Sequence, residues 1–239
     1  MALRKHIPNA ITSVSLLCGA AGVIFAFSGR LDRAFYLMLA AAACDFLDGF
    51  AARKLGAYSA LGKELDSLAD LVSFGVLPAM MLVNLKAAVS FGFPPLAWVP
   101  VVLVLFTALR LARYNTEESS AQYFSGLPAP SCGLICGSLC YFISYEPASF
   151  LSFWVLNDWF IPVLTAVLCF LLVSRIPMFS AKFSLKDPLA VNRKRMAFVV
   201  DLALIFAIVV ATGLNWSMVI LLGLVTYVVM NVILGILKV

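Results

Sequence analysis

Residues 45–70 read D-F-L-D-G-F-A-A-R-K-L-G-A-Y-S-A-L-G-K-E-L-D-S-L-A-D. Five of the chain's 12 acidic residues lie here: Asp45, Asp48, Glu64, Asp66 and Asp70. The stretch joins the polar ends of two apolar segments. It therefore reads as two antiparallel helices with a short loop between them. Residues three or four apart on a helix share a face. Asp45 and Asp48 form one carboxylate pair near the end of the first helix. Asp66 and Asp70 form a second pair near the start of the next. The hairpin sets both pairs at one depth, so four carboxylates converge.

The rest of the chain makes that cluster unusual. Of 239 residues, 63% are hydrophobic and only 12% are charged. Mean hydropathy is +1.03. A soluble domain of this length could not hide so much apolar surface, which argues against a cytosolic enzyme, and disorder is excluded by the same numbers. The fold class expected is an all-α integral membrane protein. About 20 apolar residues cross a bilayer as a helix. Eight spans fit, at roughly 9–28, 34–53, 66–88, 95–115, 128–146, 157–176, 197–214 and 216–237. They form one polytopic domain over 1–239, with the acidic motif at 45–70. Pro128, Pro130 and several glycines interrupt the fifth span. The first stretch lacks the features of a cleavable signal peptide and reads as a permanent helix.

With the N-terminus placed inside, all but three of the 17 basic residues fall on the cytoplasmic side; only Arg30, Arg33 and Lys86 lie outside. The positive-inside rule then puts both termini, and the acidic cluster, at the cytoplasmic face of a cell membrane. Residues 175–196 read as a basic cytoplasmic loop, suited to a surface helix on anionic headgroups. The six cysteines lie inside spans, where thiols pack as small hydrophobes. His6 reads as interfacial. Asp201 stands alone in the seventh span, with Lys194 and Arg195 near enough in sequence to pair with it.

Four like charges in a partly dry site need compensation from bound cations, a basic ligand or protonation. Hard oxygen donors without His or Cys point to Mg²⁺, Mn²⁺ or Ca²⁺. Two such ions a few ångströms apart clamp phosphates during displacement, so a pyrophosphate-bearing substrate is the natural partner. Gly49 and Ala52 are small and let a ligand approach the backbone. Gly62, one turn before Asp66, serves the same purpose. Arg53 offers a fixed positive charge to phosphate oxygens. The structural alternative is an interfacial salt-bridge cluster of these acids with Arg53, Lys54 and Lys63.

The spacing Asp45-x2-Asp48-Gly49-x2-Ala52-Arg53-x8-Gly62-x3-Asp66-x3-Asp70 resembles the D-x2-D-G-x2-A-R-x8-G-x3-D-x3-D motif of the CDP-alcohol phosphotransferases. The resemblance implies that family's membrane fold. It also implies transfer of a phosphatidyl or similar group from a CDP-linked donor to an alcohol, with release of CMP. Asp45, Asp48, Asp66 and Asp70 would then hold two divalent cations, Mg²⁺ or Mn²⁺. Asp70 would also take the proton of the acceptor hydroxyl. Gly49, Ala52 and Gly62 would line the CDP pocket, with Arg53 near its phosphates. Family members tend to be homodimers, so a homodimer among membrane lipids is expected. No nucleic-acid partner is expected.

Four further segments resemble the phosphatidylserine-forming branch of that family in bacteria and archaea. They are I-P-N-A-I-T-S-V-S-L-L-C-G (7–19), the extension of the motif through residue 79, R-L-A-R-Y-N (110–115) and F-S-G-L-P-A-P (124–130). Together with the motif they span about half the chain. The substrates implied are CDP-diacylglycerol and L-serine. A serine carboxylate suits an arginine fork. Arg110 and Arg113, with Asn115 beside them, are the candidates to bind it. Their structural role would be to anchor the helix at headgroups. Asn9 and Thr12 share a face of the first span and are candidates to hydrogen-bond the nucleotide; Asn9 could instead cap that helix. Lys63 stands equally as a phosphate ligand or a solvated residue. Glycerol 3-phosphate, inositol phosphate or choline are alternative acceptors. A cation transporter or a lipid-binding scaffold are alternatives of another class.

Overall fold

The computed structural model describes residues 6–89, 95–116, 124–155, 157–178 and 189–236. Among these, ten α-helices run in chain order. They are α1 (Ile7–Phe27), α2 (Leu31–Leu55), α3 (Ala60–Leu71), α4 (Leu77–Val89), α5 (Val102–Thr116), α6 (Ala129–Tyr145), α7 (Phe150–Val155), α8 (Phe160–Val173), α9 (Leu189–Thr212) and α10 (Ser217–Ile236). The extended structure described is a two-residue antiparallel bridge, Phe124–Ser125 against Pro177–Met178. The all-α membrane architecture is as expected.

Six helices are long and apolar enough to cross a membrane: Ile7–Phe27, Leu31–Leu55, Ala60–Ala88, Pro95–Thr116, Asn192–Thr212 and Ser217–Gly235. The expected fifth and sixth spans are apolar helices too, but shorter, with 17 residues in α6 and 14 in α8. At a rise of about 1.5 Å per residue they reach about 26 and 21 Å, less than a hydrocarbon core of about 30 Å. Backbone bonds between two separate segments shorten both at one end. The Gly126 amide donates to the Ile176 carbonyl (3.0 Å) and the Leu127 amide to the Leu171 carbonyl (2.9 Å). The chain before α6 and the chain after α8 are thus tied together in non-helical form. Gly126 has φ +78°, and a Cβ there would meet three carbonyl oxygens of 171–174 at 2.7–2.9 Å.

The expected third span starts earlier than the sequence suggested. Ser59 caps α3 by accepting the Gly62 amide (3.0 Å), and the helix then runs on through α4. Gly56, at φ +61°, ends α2 in the left-handed conformation that favours glycine. The acidic hairpin therefore has a loop of only a few residues. The seventh span also begins earlier. Arg193, Lys194 and Arg195 ride on the first turns of α9 itself, so 189–196 is not a separate surface helix. No Gly or Pro interrupts residues 189–212. Residues 179–188 of the expected basic loop lie outside the described residues.

Helix α6 is the centre of the core, with Cys132, Cys136 and Cys140 all buried in it. It packs against α2, α4 and α10. Helices α3 and α4 join through a π-helical turn, Val72–Val76. Such turns widen a helix by one residue and recur at functional sites; this one starts two residues after Asp70. It is clasped by α6, where a Cβ on Gly133 would lie 3.0 Å from the Phe74 Cα. Gly133→Ala is expected to push backbone against backbone and cost about 1–3 kcal/mol. Thermal unfolding in detergent would show a lowered midpoint; an unchanged midpoint would mean that the contact has slack.

At the end of the bundle opposite the acids, Tyr36, Tyr141 and Trp216 form an aromatic cluster. The Tyr36 and Tyr141 hydroxyls share a hydrogen bond of 2.8 Å, and Trp216 stacks on Tyr36. Tyr and Trp concentrate at membrane–water interfaces. Near the same end, the fully buried Lys86 of α4 pairs with the exposed Asp158 before α8. The ammonium, otherwise very costly to bury, is compensated there.

Candidate active site

The α2–α3 hairpin brings its acids together. One carboxylate oxygen from each of Asp45, Asp48 and Asp66 lies within 4.8 Å of the other two. Asp70, one turn further along α3, is outside that tight group but within electrostatic reach of all three. Asp48 is buried and the other three are half-buried. Among the described residues no salt bridge joins these acids to Arg53, Lys54 or Lys63. Lys54 lies over the Phe50 ring (5.9 Å), and the Lys63 ammonium donates to the Asn115 carbonyl (2.9 Å). The salt-bridge alternative therefore fails. Among the described residues no basic side chain forms a salt bridge with the cluster, and its donors are hard oxygens without His or Cys. This set fits a divalent cation such as Mg²⁺ or Mn²⁺.

Beside the cluster opens a cavity of about 530 Å³. Asn9, Thr12, Gly49, Ala52, Arg53 and Gly62 all line it, together with Asp48 and Asp66. The six residues singled out for nucleotide binding thus share one cavity, and it opens onto two of the clustered carboxylates. Thr12 donates its hydroxyl to the Asp48 carboxylate (2.6 Å), with the Pro8 carbonyl at 3.0 Å as a second acceptor. It orients that carboxylate. Asn9 does not cap α1; His6 holds that position. A Cβ on Gly62 would meet the Asn9 Oδ1 at 2.8 Å, so the glycine lets α1 close on α3. At Gly49 a Cβ would meet only the Arg53 guanidinium, at 3.6 Å, and the backbone there is open to the cavity.

Sequence reasoning missed several walls of this cavity, among them Tyr58, Ser59 and Tyr114. Tyr58 is in the loop after Gly56. Tyr114 sits inside R-L-A-R-Y-N, between two residues that had been singled out. Neither carried a charge to draw notice.

The three α5 candidates separate. Arg110, Arg113 and Asn115 do not line the cavity. The Asn115 amide donates to the Ser67 hydroxyl (2.8 Å); with the Lys63 bond it braces α5 against α3. Arg113 is half-buried one turn beyond Arg110. Arg110 is different. It is within electrostatic reach of Asp70, Tyr114 and Tyr227, yet no salt bridge joins it to Asp70. Its Nε is buried with no hydrogen-bond partner. A buried donor left unpaired costs about 1–3 kcal/mol, and a ligand acceptor would relieve that cost.

A family model described as CDP-alcohol phosphatidyltransferase matches residues 5–172. The chain is 36% identical over 181 residues to a protein of Mycobacterium leprae named CDP-diacylglycerol–serine O-phosphatidyltransferase. That match takes in 72% of this chain and 57% of the relative. A Bacillus subtilis protein of the same name is 34% identical over 147 residues, 60% of this chain and 78% of the relative. An archaetidylserine synthase of Methanothermobacter thermautotrophicus is 35% identical over 134 residues, 55% of this chain and 56% of the relative. The chain thus spans less than two thirds of the length of the mycobacterial relatives.

Proposed function

The chain belongs to the CDP-alcohol phosphatidyltransferase family, and from that premise we propose that it moves the phosphatidyl group of CDP-diacylglycerol onto L-serine, giving phosphatidylserine and CMP. The observation that carries this is one arrangement. Three clustered carboxylates, two of which line a cavity holding Arg53 and Lys63, have Asp70 within reach, and Asp70 is in turn within reach of Arg110. The names of the relatives support serine as acceptor.

In this mechanism Asp45, Asp48 and Asp66, with Asp70 at the edge, would hold two divalent cations. Bound there, such cations neutralise the diphosphate and stabilise the leaving phosphate. The nucleotide lies in the cavity, with Gly49, Ala52 and Gly62 giving its backbone close approach and Arg53 facing its phosphates. Thr12 keeps Asp48 aimed, and Asn9 lines the same wall. Arg110 takes the serine carboxylate, with Arg113 and Asn115 at the same helix end. This places the serine hydroxyl beside Asp70. Asp70 accepts the hydroxyl proton as the serine oxygen bonds to the lipid-side phosphorus. The bond from that phosphorus to the bridging oxygen breaks, and CMP leaves with the electron pair.

The protein works as one catalytic membrane domain, as a homodimer, with both termini and the site at the cytoplasmic face of the cell membrane. The basic residues at the acid end support that orientation. A panel of radiolabelled acceptors, tested with CDP-diacylglycerol and Mn²⁺ or Mg²⁺, checks the proposal. Label from serine is expected in lipid, with equimolar CMP. Label entering from glycerol 3-phosphate, inositol phosphate or choline, but not serine, would replace the acceptor.

A further inference from the structure

The tip of the α2–α3 hairpin runs from Gly56 to Ser59, and all but one of its residues have a structural use. Gly56 ends α2 at φ +61°. The Ala57 amide donates to the Ala52 carbonyl (3.0 Å), and its side chain is buried. Ser59 caps α3. Tyr58 is the exception. It is 74% exposed, against 51% for Tyr114, which also lines the nucleotide cavity. Among the described residues no ring packs on Tyr58 and no hydrogen bond holds its hydroxyl. A tight turn pinned at both ends thus carries an uncovered aromatic ring on the wall of the cavity. Small and polar residues ordinarily fill such turns.

The direction of the bound nucleotide follows from its two ends. Its phosphates belong beside the carboxylates and Arg53, and its lipid tail must enter the bilayer. The base therefore points the other way, toward the hairpin tip. Asp48 and Asp66 each lie about two helical turns from that tip, a distance of about 10 Å. Gly49, Ala52 and Gly62, all small, line the cavity between them.

We propose that Tyr58 is the platform on which the cytosine base of the donor stacks. Aromatic side chains hold bases through the face of the ring, so the hydroxyl is dispensable. The contact lies far from the bond that breaks. It favours the bound substrate and the transition state alike, and so acts on affinity and not on turnover. This inference rests on the nucleotide donor of the proposed function, and not on serine as its acceptor.

The test is steady-state kinetics of the full chain in detergent–lipid micelles, with CMP as a product inhibitor. Tyr58→Ala is expected to raise the KM for CDP-diacylglycerol and the inhibition constant of CMP by the same factor. That factor is about tenfold, toward the low end of what one aromatic–base stack contributes. The serine KM and kcat should stay within about twofold, and the thermal midpoint should not move. Tyr58→Phe keeps the ring and is expected to restore both constants. Tyrosine also concentrates at membrane interfaces. A headgroup anchor predicts an unchanged CMP constant in Tyr58→Ala, and that result overturns the inference. A Tyr58→Phe protein as impaired as Tyr58→Ala overturns it too, because the hydroxyl and not the ring would then be at work. So does a serine KM that rises equally, the mark of a general loss of structure. A tenfold change in the CMP constant of a protein that rejects serine supports this inference and replaces only the acceptor. A wild-type protein that neither releases CMP nor is inhibited by it overturns the proposed function and this inference together.

Discussion

Asp70→Asn is expected to lower kcat by about 10³-fold or more while CMP binding persists. General-base catalysis contributes about 10²–10⁴-fold, and an amide cannot take the hydroxyl proton. The tight carboxylate group of Asp45, Asp48 and Asp66 does not include Asp70, so metal and nucleotide should still bind when it is changed. The stability prediction runs the other way. In metal-free protein the four acids repel one another, and no salt bridge offsets them among the described residues. Removing one negative charge should therefore leave the thermal midpoint in chelator unchanged or raise it. A cluster built to bind cations is unfavourable without them, the usual exchange of stability for function. Divalent ions should then raise the wild-type midpoint by mass action. Substantial turnover in Asp70→Asn would remove Asp70 from the role of base. A collapsed midpoint in chelator would show that its charge is structural instead.

The acid hairpin was legible because its chemistry is local. Periodicity alone puts Asp45 with Asp48 and Asp66 with Asp70 on shared faces, and a short loop brings the pairs together. The cavity residues from Asn9 to Gly62 were legible for a related reason: small residues and short polar side chains are out of place in an apolar segment. Other features depend on contacts between distant segments. Gly62 reads as room for a ligand, but the Asn9 side chain also comes against it from α1. Asn115 reads as a ligand residue, yet its amide is occupied by Ser67. Helices α6 and α8 read as full spans because hydropathy does not register the backbone bonds at Gly126 and Leu127 that cut them short. Tyr114 counts as apolar in composition and surfaces only once α5 brings it to the cavity. Charge out of place was visible in one dimension, and aromatic walls were not.

Arg110→Ala carries the second large effect, an increase of about 100-fold or more in the serine KM with the CDP-diacylglycerol KM little changed. A hydrogen bond to a charged group is worth about 1.5–3 kcal/mol, and a bidentate arginine–carboxylate pair makes two. The expected loss is therefore larger than for any single neutral contact in the pocket. Arg113→Ala should act more weakly, since the orphaned buried nitrogen belongs to Arg110. The competing view, that both arginines only anchor α5 at headgroups, predicts lower stability in detergent and no split between the substrates. A third variant decides between them. Arg110→Lys keeps the charge but not the planar fork. An anchoring role would be rescued by lysine, whereas recognition of a carboxylate would be restored only in part, leaving the serine KM between those of the wild type and Arg110→Ala. If Arg110→Ala and Arg113→Ala both leave the serine KM unchanged, α5 does not bind the acceptor carboxylate. Its recognition would then have to come from elsewhere around Asp70.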